Sequence, residues 1–374
     1  MSEFQASNFK KEQGGGASDL AGVTGLTSPY FFVPPSGTTA ERPQSCSVGT
    51  IRFNTDVGTL EVWRGDTIGW EYIQRRESQY LGGGSGSNAG VGARGIFYAG
   101  QNPGEVDTID FITISTLGDA QDFGNATDTR DEVMCCASRT RGVGGGGYDG
   151  GTDDKIDFVT FSSTGNAVDF GNLSVARFSA AGMGDDIRGI FSGGATPTYQ
   201  DVIDYITIAQ SGNAVDFGNL IAATYQPAAC SSSTRGIIGG GANPSATNTI
   251  QFVTIRTTGN ASDFGDLTAA RRGLSSSSNA TRGLFYAGLS NTNTIEFTTI
   301  ATLGNAVDFG DLTYSTQEGA ACASSTRGIM AGGNPNVDTI NFIEIATTGN
   351  ASDFGNLTQS RKRLGGCSNG HGGL

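Results

Sequence analysis

The triplet Asp-Phe-Gly, which holds catalytic metal ions in protein kinases, occurs six times in this sequence. A kinase needs one such triplet together with a glycine-rich loop, a strand lysine and a catalytic loop, and none of these accompanies it here. Six equivalent copies cannot all serve one catalytic site. We therefore interpret the triplet as structural: the Phe packs between repeats, the Gly permits a turn or bulge, and the Asp bonds to a loop backbone or to a neighbouring arginine. The six aspartates are Asp122, Asp169, Asp216, Asp263, Asp308 and Asp353.

Other catalytic chemistry is limited by the residues present. The single histidine, His371, makes a Ser-His-Asp or Cys-His site improbable and excludes a multi-histidine metal site. The acidic segment Gly147–Lys155 could hold calcium, but it lacks the spacing and terminal Glu of an EF-hand loop. A glycosidase could still use two carboxylates, yet no pair stands out from the repeats. The sequence predicts a non-enzymatic protein without a cofactor or a metal.

Charge and hydropathy exclude two classes of partner. The 374 residues carry 23 basic and 36 acidic side chains, a net charge of −13, which argues against nucleic-acid binding through a basic patch. No run of 18 apolar residues exists, so no membrane insertion is predicted. Four of the six cysteines, Cys136, Cys230, Cys322 and Cys367, hold equivalent places in successive repeats, too far apart for disulfides, and we interpret them as small buried side chains.

A repeat of 45 to 47 residues separates the Asp-Phe-Gly triplets, and an Arg-Gly pair keeps the same period. Six copies fill residues 93–374. Each copy predicts four short strands, which with four connections occupy roughly 45 residues. The Arg-Gly arginines are expected to pair structurally, with an anion or sugar-acid site on the axis as the functional alternative. They are Arg94, Arg141, Arg188, Arg235, Arg282 and Arg327.

The four strands of a copy predict the fold class. The first resembles Arg94–Gly100, the second Thr108–Ile114, the third contains Asp-Phe-Gly, and the fourth is the small-residue type of Ala270–Ser278. The second strand is apolar on both faces and must be covered on both. We expect an all-β protein, a six-bladed β-propeller of kelch-like four-stranded blades.

The sequence allows two ways of closing the propeller ring. Tyr80–Ser85 resembles Arg363–Ser368, so a copy of the fourth strand also precedes the first repeat. Either this copy helps to latch the ring, or residues 50–92 form a divergent seventh blade.

The loops between the first and second strands vary most: 101–107, 147–155, 195–201 and 242–248. Because binding residues concentrate in loops on a rigid scaffold, these segments are the candidate ligand contacts. Their candidate residues are Asn102, Asp149, Asp153, Asp154, Tyr199 and Asn243.

The N-terminal residues differ in kind from the repeats. Residues 1–49 read as an extended arm, residues 50–78 as a small β-meander and residues 79–374 as the propeller. Within the arm, Tyr30, Phe31, Phe32 and Val33 form an apolar stub that we interpret as an anchor. The meander strands are expected at Ile51–Phe53, Leu60–Trp63 and Trp70–Ile73.

Two segments resemble known proteins. The run PPSGTTAERP, followed by GTIRFNTDVGTLEVWRG, resembles a small module widespread in phage tail-fibre and virion proteins. The repeats, with TRGI and TTGNA.DFG.LT motifs, resemble those of tail-fibre-like structural proteins from phages of marine cyanobacteria. Together the likeness covers the chain from about residue 8 to residue 374.

The resemblance implies a location in the virion. Residues 1–78 would dock on other virion proteins and the outward propeller would attach to the host surface, with host-surface glycan as its candidate partner. Homo-oligomers, trimers among them, are typical of such appendages. The alternatives are a purely structural or decoration protein of head, neck or baseplate, and a glycan-cleaving enzyme.

Overall fold

The computed structural model describes residues 34–43, 46–56, 59–66, 69–72, 93–289 and 292–374. The proposed anchor residues Tyr30, Phe31, Phe32 and Val33 and the segment Tyr80–Ser85 lie outside the described residues. The chain divides into two compact units, Met1–Arg75 and Arg76–Leu374. The described part contains β-strands and one short 3-10 turn, Thr39–Glu41, but no α-helix. Consequently no helix in that part could cross a membrane.

The first unit contains one small sheet around a buried carboxylate. Strands β2 (Ile51–Asn54), β3 (Thr59–Trp63) and β4 (Trp70–Tyr72) form the expected antiparallel meander. The sequence did not predict β1 (Ser36–Gly37), which pairs in parallel with β2. Glu61 of β3 is fully buried and is bound by Arg42. The division into an arm of residues 1–49 and a meander of residues 50–78 stays a prediction.

Six four-stranded antiparallel sheets lie within residues 93–289 and 292–374, and their strands are numbered in chain order. Sheet I contains β30 (Gly365–Ser368), β5 (Arg94–Gln101), β6 (Glu105–Thr113) and β7 (Gln121–Asn125). Sheet II contains β8 (Met134–Ala137), β9 (Arg141–Tyr148), β10 (Thr152–Thr160) and β11 (Val168–Asn172). Sheet III contains β12 (Ala181–Gly184), β13 (Arg188–Ser192), β16 (Val202–Thr207) and β17 (Val215–Asn219), with a small hairpin of β14 (Ala195–Thr196) and β15 (Thr198–Tyr199) beside it.

The remaining three sheets repeat the same order. Sheet IV contains β18 (Ala228–Ser231), β19 (Arg235–Gly239), β20 (Thr249–Thr254) and β21 (Ser262–Asp266). Sheet V contains β22 (Ser275–Ser278), β23 (Arg282–Tyr286), β24 (Thr292–Thr299) and β25 (Val307–Thr316). Sheet VI contains β26 (Ala320–Ala323), β27 (Arg327–Ala331), β28 (Val337–Glu344) and β29 (Ser352–Arg361).

The predicted fourth strand of each repeat belongs to the next sheet, so the predicted grouping of strands is wrong by one. Ser275–Ser278 pairs with Arg282–Tyr286 and not with the Asp-Phe-Gly strand before it. Only three residues separate these paired strands, which favours a hairpin between them. Sheet I is therefore completed by β30, from the C-terminal end of the chain, which pairs with β5.

The first strands of the six sheets follow one another in a closed order. β8 contacts β12, then β18, β22, β26 and β30 follow, and β30 contacts β8 again. This arrangement is propeller-like. The apolar cores lie between neighbouring sheets: Ile96 and Phe123 of sheet I, for example, cluster with Phe161 after β10 of sheet II. Gly, Ala and Ser predominate on the first strands, where the sheets approach most closely.

The Asp-Phe-Gly triplet joins each sheet to the next. The Phe123 carbonyl accepts a hydrogen bond of 2.7 Å from the Gly165 amide, and the Asn125 amide donates to Asn166 Oδ1 at 3.1 Å. The last triplet closes the series, because the Phe354 carbonyl accepts from the Gly118 amide at 3.0 Å. The Phe side chains are buried between sheets, as expected, and the glycines lie beside register shifts.

The expected Asp–Arg pairing within the repeats is wrong. No ion pair joins a triplet aspartate to a repeat arginine in the described residues, because the aspartate side chains face solvent on the last strand of each sheet. This holds for Asp122, Asp169, Asp216, Asp263, Asp308 and Asp353.

All six cysteines are free thiols. The thiols at equivalent repeat positions point from one sheet toward the Arg-Gly glycine of the next; Cys322, for example, lies against Gly95. Burial raises the pKa of Cys230 to about 12, so this thiol is unreactive at neutral pH. Cys135 stands outside the equivalent set and packs in the same cluster as Cys367.

Candidate functional site: one mouth of the axial channel

A narrow channel runs along the axis between the six first strands. It is lined by small and sulfur-containing side chains such as Met183, Cys230 and Ser277. We call the end at which the first strands begin the mouth, and the end at which they finish the far end. The two ends of the channel are built differently.

The far end repeats one arrangement six times. Each Arg-Gly guanidinium lies 4.2–4.9 Å from the centroid of an aromatic ring on the third strand of its sheet. That ring makes an edge contact with the Phe of Asp-Phe-Gly, as Phe252 does with Phe264. The arginine Nη1 also donates to a main-chain carbonyl of the following sheet, at 2.6–3.2 Å. The aromatic partners are Phe111, Phe158, Tyr205, Phe252, Phe297 and Phe342.

These contacts favour the structural interpretation of the repeat arginines. Each guanidinium is held between two sheets by a ring and a carbonyl. A cation over an aromatic face gains roughly 0.5–2 kcal/mol, so the arrangement stabilises the sheet interfaces. The arginines are structural, although their partners are carbonyls and rings and not the triplet aspartates.

Residues 369–374 cover the far end of the channel. The His371 Nδ1 accepts from the Gly373 amide at 3.1 Å, so Nε2 carries the proton and donates to the Ala137 carbonyl at 2.9 Å. Burial lowers the pKa of His371, which favours the neutral ring. The histidine thus closes the channel and is not placed for catalysis.

Beneath the mouth, a layer of buried arginines joins neighbouring sheets. Arg177 is fully buried and its Nη1 lies 2.8 Å from Asp204 Oδ2. Arg361 binds Asp110 in the same way at 2.6 Å, and so closes the last sheet onto the first. The equivalent pairs are Arg130 with Asp157 and Arg271 with Glu296.

Two of the six positions in this layer use uncharged groups. Thr224 replaces the arginine where Gln251 replaces the acid, and Thr316 does so where Asn341 replaces the acid. The two changes occur together in both cases, because an unpaired buried charge is costly. The sequence already contained this pattern, an arginine and an acidic residue separated by 25 or 27 positions that change together, but the sequence analysis did not identify it.

The mouth itself is a closed ring of backbone hydrogen bonds. Six residues at equivalent positions, here called the inner ring, each donate an amide to the carbonyl of the preceding member at 2.6–3.2 Å. All six have left-handed backbone, with φ between 53° and 63°. The members are Glu132, Ser179, Gln226, Gly273, Glu318 and Arg363.

A left-handed backbone costs a residue with a side chain roughly 1 kcal/mol, a cost that glycine avoids. Only Gly273 avoids it, yet five positions carry polar side chains. Strained positions of this kind are typical of functional sites. The fold therefore tolerates strain that glycine would remove, in order to present polar groups at the mouth.

The inner-ring side chains form one hydrogen-bonded network. Arg363 Nε lies 3.2 Å from Glu132 Oε1 and 3.1 Å from Glu318 Oε2. Ser179 donates to Glu132, and Gln226 Nε2 donates to Glu318 Oε1 at 3.2 Å. These residues line a cavity of about 100 Å³. Burial raises the pKa of Glu132 to about 7, so this carboxyl exchanges its proton near neutrality.

The residue before each inner-ring member forms a second ring outside it, here called the outer ring. Its members differ strongly in chemistry, unlike the arginines of the far end. They are Asp131, Phe178, Tyr225, Arg272, Gln317 and Lys362. Arg272 lies over the ring of Tyr225 at 5.7 Å.

Four aromatic side chains lie together on one side of the mouth and are here called the aromatic array. The ring centroids of Tyr148 and Phe178 are 5.6 Å apart, and those of Phe178 and Tyr225 are 6.1 Å apart. Tyr199 stacks on Tyr225 with centroids 5.3 Å apart and an interplanar angle of 5°. Tyr148 is 37% exposed, and the other three are partly exposed. The array adjoins the inner ring, because Tyr225 directly precedes the inner-ring residue Gln226. Burial and the nearby Glu132 carboxylate raise the pKa of Tyr225.

The predicted ligand loops lie at the mouth, since bridges pair Tyr148 with Asp131 and Ala195 with Phe178. Of the six predicted contacts, Tyr199 joins the aromatic array. Asp153 points inward instead and lies 3.6 Å from Arg130.

The remaining predicted contacts stand apart from the inner ring. Asp154 accepts a hydrogen bond from Asn172, while Asp149 and Asn243 are exposed and Asn102 is partly exposed. No cluster of three or more His, Cys, Asp or Glu residues in the described part of the chain is placed to hold a metal ion.

No protein-family model matches this chain, and no curated protein matches it. The six repeats of the chain can, however, be compared with one another at equivalent positions. The repeat arginines and the Phe and Gly of Asp-Phe-Gly agree in all six repeats and contact a neighbouring sheet, whereas the equally uniform triplet aspartates face solvent. The inner and outer rings are positions at which the repeats disagree although the backbone is equivalent, so the fold does not dictate their side chains.

Proposed function

We propose that residues 93–374 form a closed, six-bladed β-propeller that acts as a non-enzymatic binding module, with the mouth as its binding face. The observation that carries the proposal is the contrast between six equivalent backbone positions at the mouth and the five different residue types placed on them. Aromatic rings with a few converging polar groups are typical of ligand sites. The far end, where the same arginine, aromatic ring and carbonyl contact repeats six times, is the supporting scaffold.

We further propose that the module belongs to a phage virion appendage. The resemblance of the N-terminal module and of the repeats to tail-fibre-like proteins supports this location. In this account, residues 1–78 dock on other virion proteins, the chain assembles as a homo-oligomer, and the mouth faces outward for attachment to the host surface.

Immunogold electron microscopy of intact particles, with antibody raised to residues 93–374, tests the location. Label at distal fibre or baseplate tips is expected for a host-attachment module. Label spread over the head or neck would instead favour a decoration protein, which is the main alternative. Particles without label would overturn the virion proposal.

Glycan cleavage is the second candidate function, and one observation favours it. Glu132 and Glu318 both bind Arg363, and a carboxyl with a pKa of about 7 could serve as a general acid. The shared guanidinium and the low exposure of both carboxylates argue for a binding role. Release of reducing ends from host polysaccharide, abolished by Glu132→Gln and by Glu318→Gln, would establish the enzyme instead.

A further inference from the structure

The division of the mouth into two sides indicates what its ligand looks like. On one side, the aromatic array offers partly exposed rings from sheets II and III and from the segments that precede sheets III and IV. Beside the array, the inner-ring residues Glu318, Arg363 and Glu132 offer hydrogen-bond acceptors and donors around the cavity. A ligand that satisfies both sides needs an apolar face and a polar edge.

Charge at the mouth narrows the ligand class. Asp131, Glu132 and Glu318 contribute three carboxylates to the two rings, and Arg272, Lys362 and Arg363 contribute three cations. With every carboxyl ionised, the two rings alone therefore carry no net charge that would attract a strongly acidic or basic ligand. Interleaved carboxylates and guanidinium groups are instead suited to hydroxyl groups, which both donate and accept.

The cavity sets the depth of insertion. Its volume of about 100 Å³ has room for several ordered water molecules, or for the hydroxyl groups along one edge of a sugar ring. A hydroxyl-bearing edge fits, while the ring itself stays on the aromatic array. The C–H groups on the apolar face of a pyranose pack well on an aromatic face, whose π-system is electron-rich.

We infer that the mouth binds an uncharged saccharide, with one pyranose face on the side of the Tyr199 ring that points away from Tyr225 and its vicinal hydroxyls directed at Glu132, Glu318 and Arg363. This inference rests on the proposed binding function and names its ligand class. Uronic and sialic acids are expected to bind more weakly than neutral sugars, because their carboxylate would face the carboxylates of the inner ring.

Two readouts on the full chain test the inference. The first is binding to an array of immobilised neutral and acidic glycans. The second is binding of the fluorescently labelled protein to cyanobacterial cell envelopes, with and without periodate, which cleaves vicinal diols. The variants are Tyr199→Ala, Tyr199→Phe and, as a control, Leu117→Ala, which removes a 59% exposed apolar side chain remote from the array.

We expect binding to neutral glycans that Tyr199→Ala weakens at least about tenfold, that Tyr199→Phe largely retains and that Leu117→Ala leaves unchanged. Envelope binding should fall after periodate treatment. Binding to acidic glycans in preference to neutral ones, or binding to no glycan, would overturn the inference. So would neutral-glycan binding that Tyr199→Ala leaves intact.

The two readouts separate this inference from the proposed function. Envelope binding that survives periodate, without glycan binding, would retain adhesion and overturn the saccharide. Neutral-glycan binding without envelope binding would retain the saccharide site and overturn host attachment. A chain that binds neither would overturn both.

Discussion

The two ends of the axial channel have the same backbone symmetry and opposite side-chain patterns. At the far end, six arginines lie over six aromatic rings and donate to six carbonyls, with tyrosine for phenylalanine in one repeat as the main variation. At the mouth, the inner ring keeps its six backbone hydrogen bonds while its side chains range from Gly273 to Arg363. Symmetry marks what the fold requires, and its loss marks positions free to serve a ligand.

A middle layer lies between these extremes and offers the strongest test of what the fold requires. We predict that Arg177→Thr alone destabilises the protein by about 3–5 kcal/mol, because Asp204 is left buried without its partner. The double variant Arg177→Thr/Asp204→Gln copies the natural Thr224–Gln251 pair and should recover most of that loss. Chemical denaturation measures both.

Comparison of the single and double variants shows whether a buried ion pair can be replaced by an uncharged Thr–Gln pair. A double variant that is as unstable as Arg177→Thr would mean that each junction is tuned to its own sheets. The internal comparison of repeats would then lose its force.

The Asp-Phe-Gly glycines should be the next most sensitive positions. Gly218 has a φ of 145°, and a Cβ added there would lie 2.5 Å from the Gly259 carbonyl oxygen of the neighbouring sheet. Gly218→Ala should therefore cost about 2 kcal/mol or more in unfolding free energy. Gly104→Ala, where an added Cβ meets nothing within 4 Å, is the matched control and should be close to neutral. Equal effects at both sites would contradict the packing described.

The mouth should make stability depend on pH. The pKa of Glu132 is raised from 4.5 to about 7, so the folded state holds this proton more tightly than the unfolded chain does. The resulting stabilisation is full below pH 4.5 and is lost as the pH rises through 7, with a slope of at most about 1.4 kcal/mol per pH unit. Glu132→Gln should flatten this decline between pH 5 and 8.

Asp131 adds to the same trend, because burial raises its pKa to about 6. Glu344→Gln at the far end, where the carboxylate is half exposed, is the control and should keep the wild-type pH profile. A profile that rises with pH in the wild type would show that the mouth carboxyls are solvated and not strained.

Much of the scaffold was predictable from the sequence, and the reason is repetition. The period located the strands and placed the Phe of each Asp-Phe-Gly triplet, which is buried; the structural role of the triplet aspartates stays a prediction. The grouping of strands was wrong by one, because strand patterns do not reveal which neighbour a strand pairs with. The pairing of β30 with β5 likewise became evident only from the three-dimensional structure.

The mouth was harder to predict, because its residues differ in type from repeat to repeat and therefore form no sequence motif. Glu132 and Arg363 are equivalent in the repeat, yet nothing in their types shows that one guanidinium binds the carboxylates of both neighbouring members of the inner ring. Tyr199 was placed in a variable loop, but its stacking on Tyr225 depends on the three-dimensional spacing of two sheets. The buried arginine layer was readable, since arginine and acid change together along the chain.

Glutamine substitution at both ends tests the central claim most directly. Gln317 shows that glutamine fits the outer ring, so Phe178, Tyr225, Arg272 and Lys362 would each be replaced by Gln, as would the six far-end arginines. Unfolding free energies are compared for the two sets. We predict losses of about 1–2 kcal/mol for each far-end arginine, from its carbonyl bond and ring contact, and smaller losses at the outer ring. Outer-ring losses equal to those at the far end would contradict the account, since the mouth would then serve stability as the far end does.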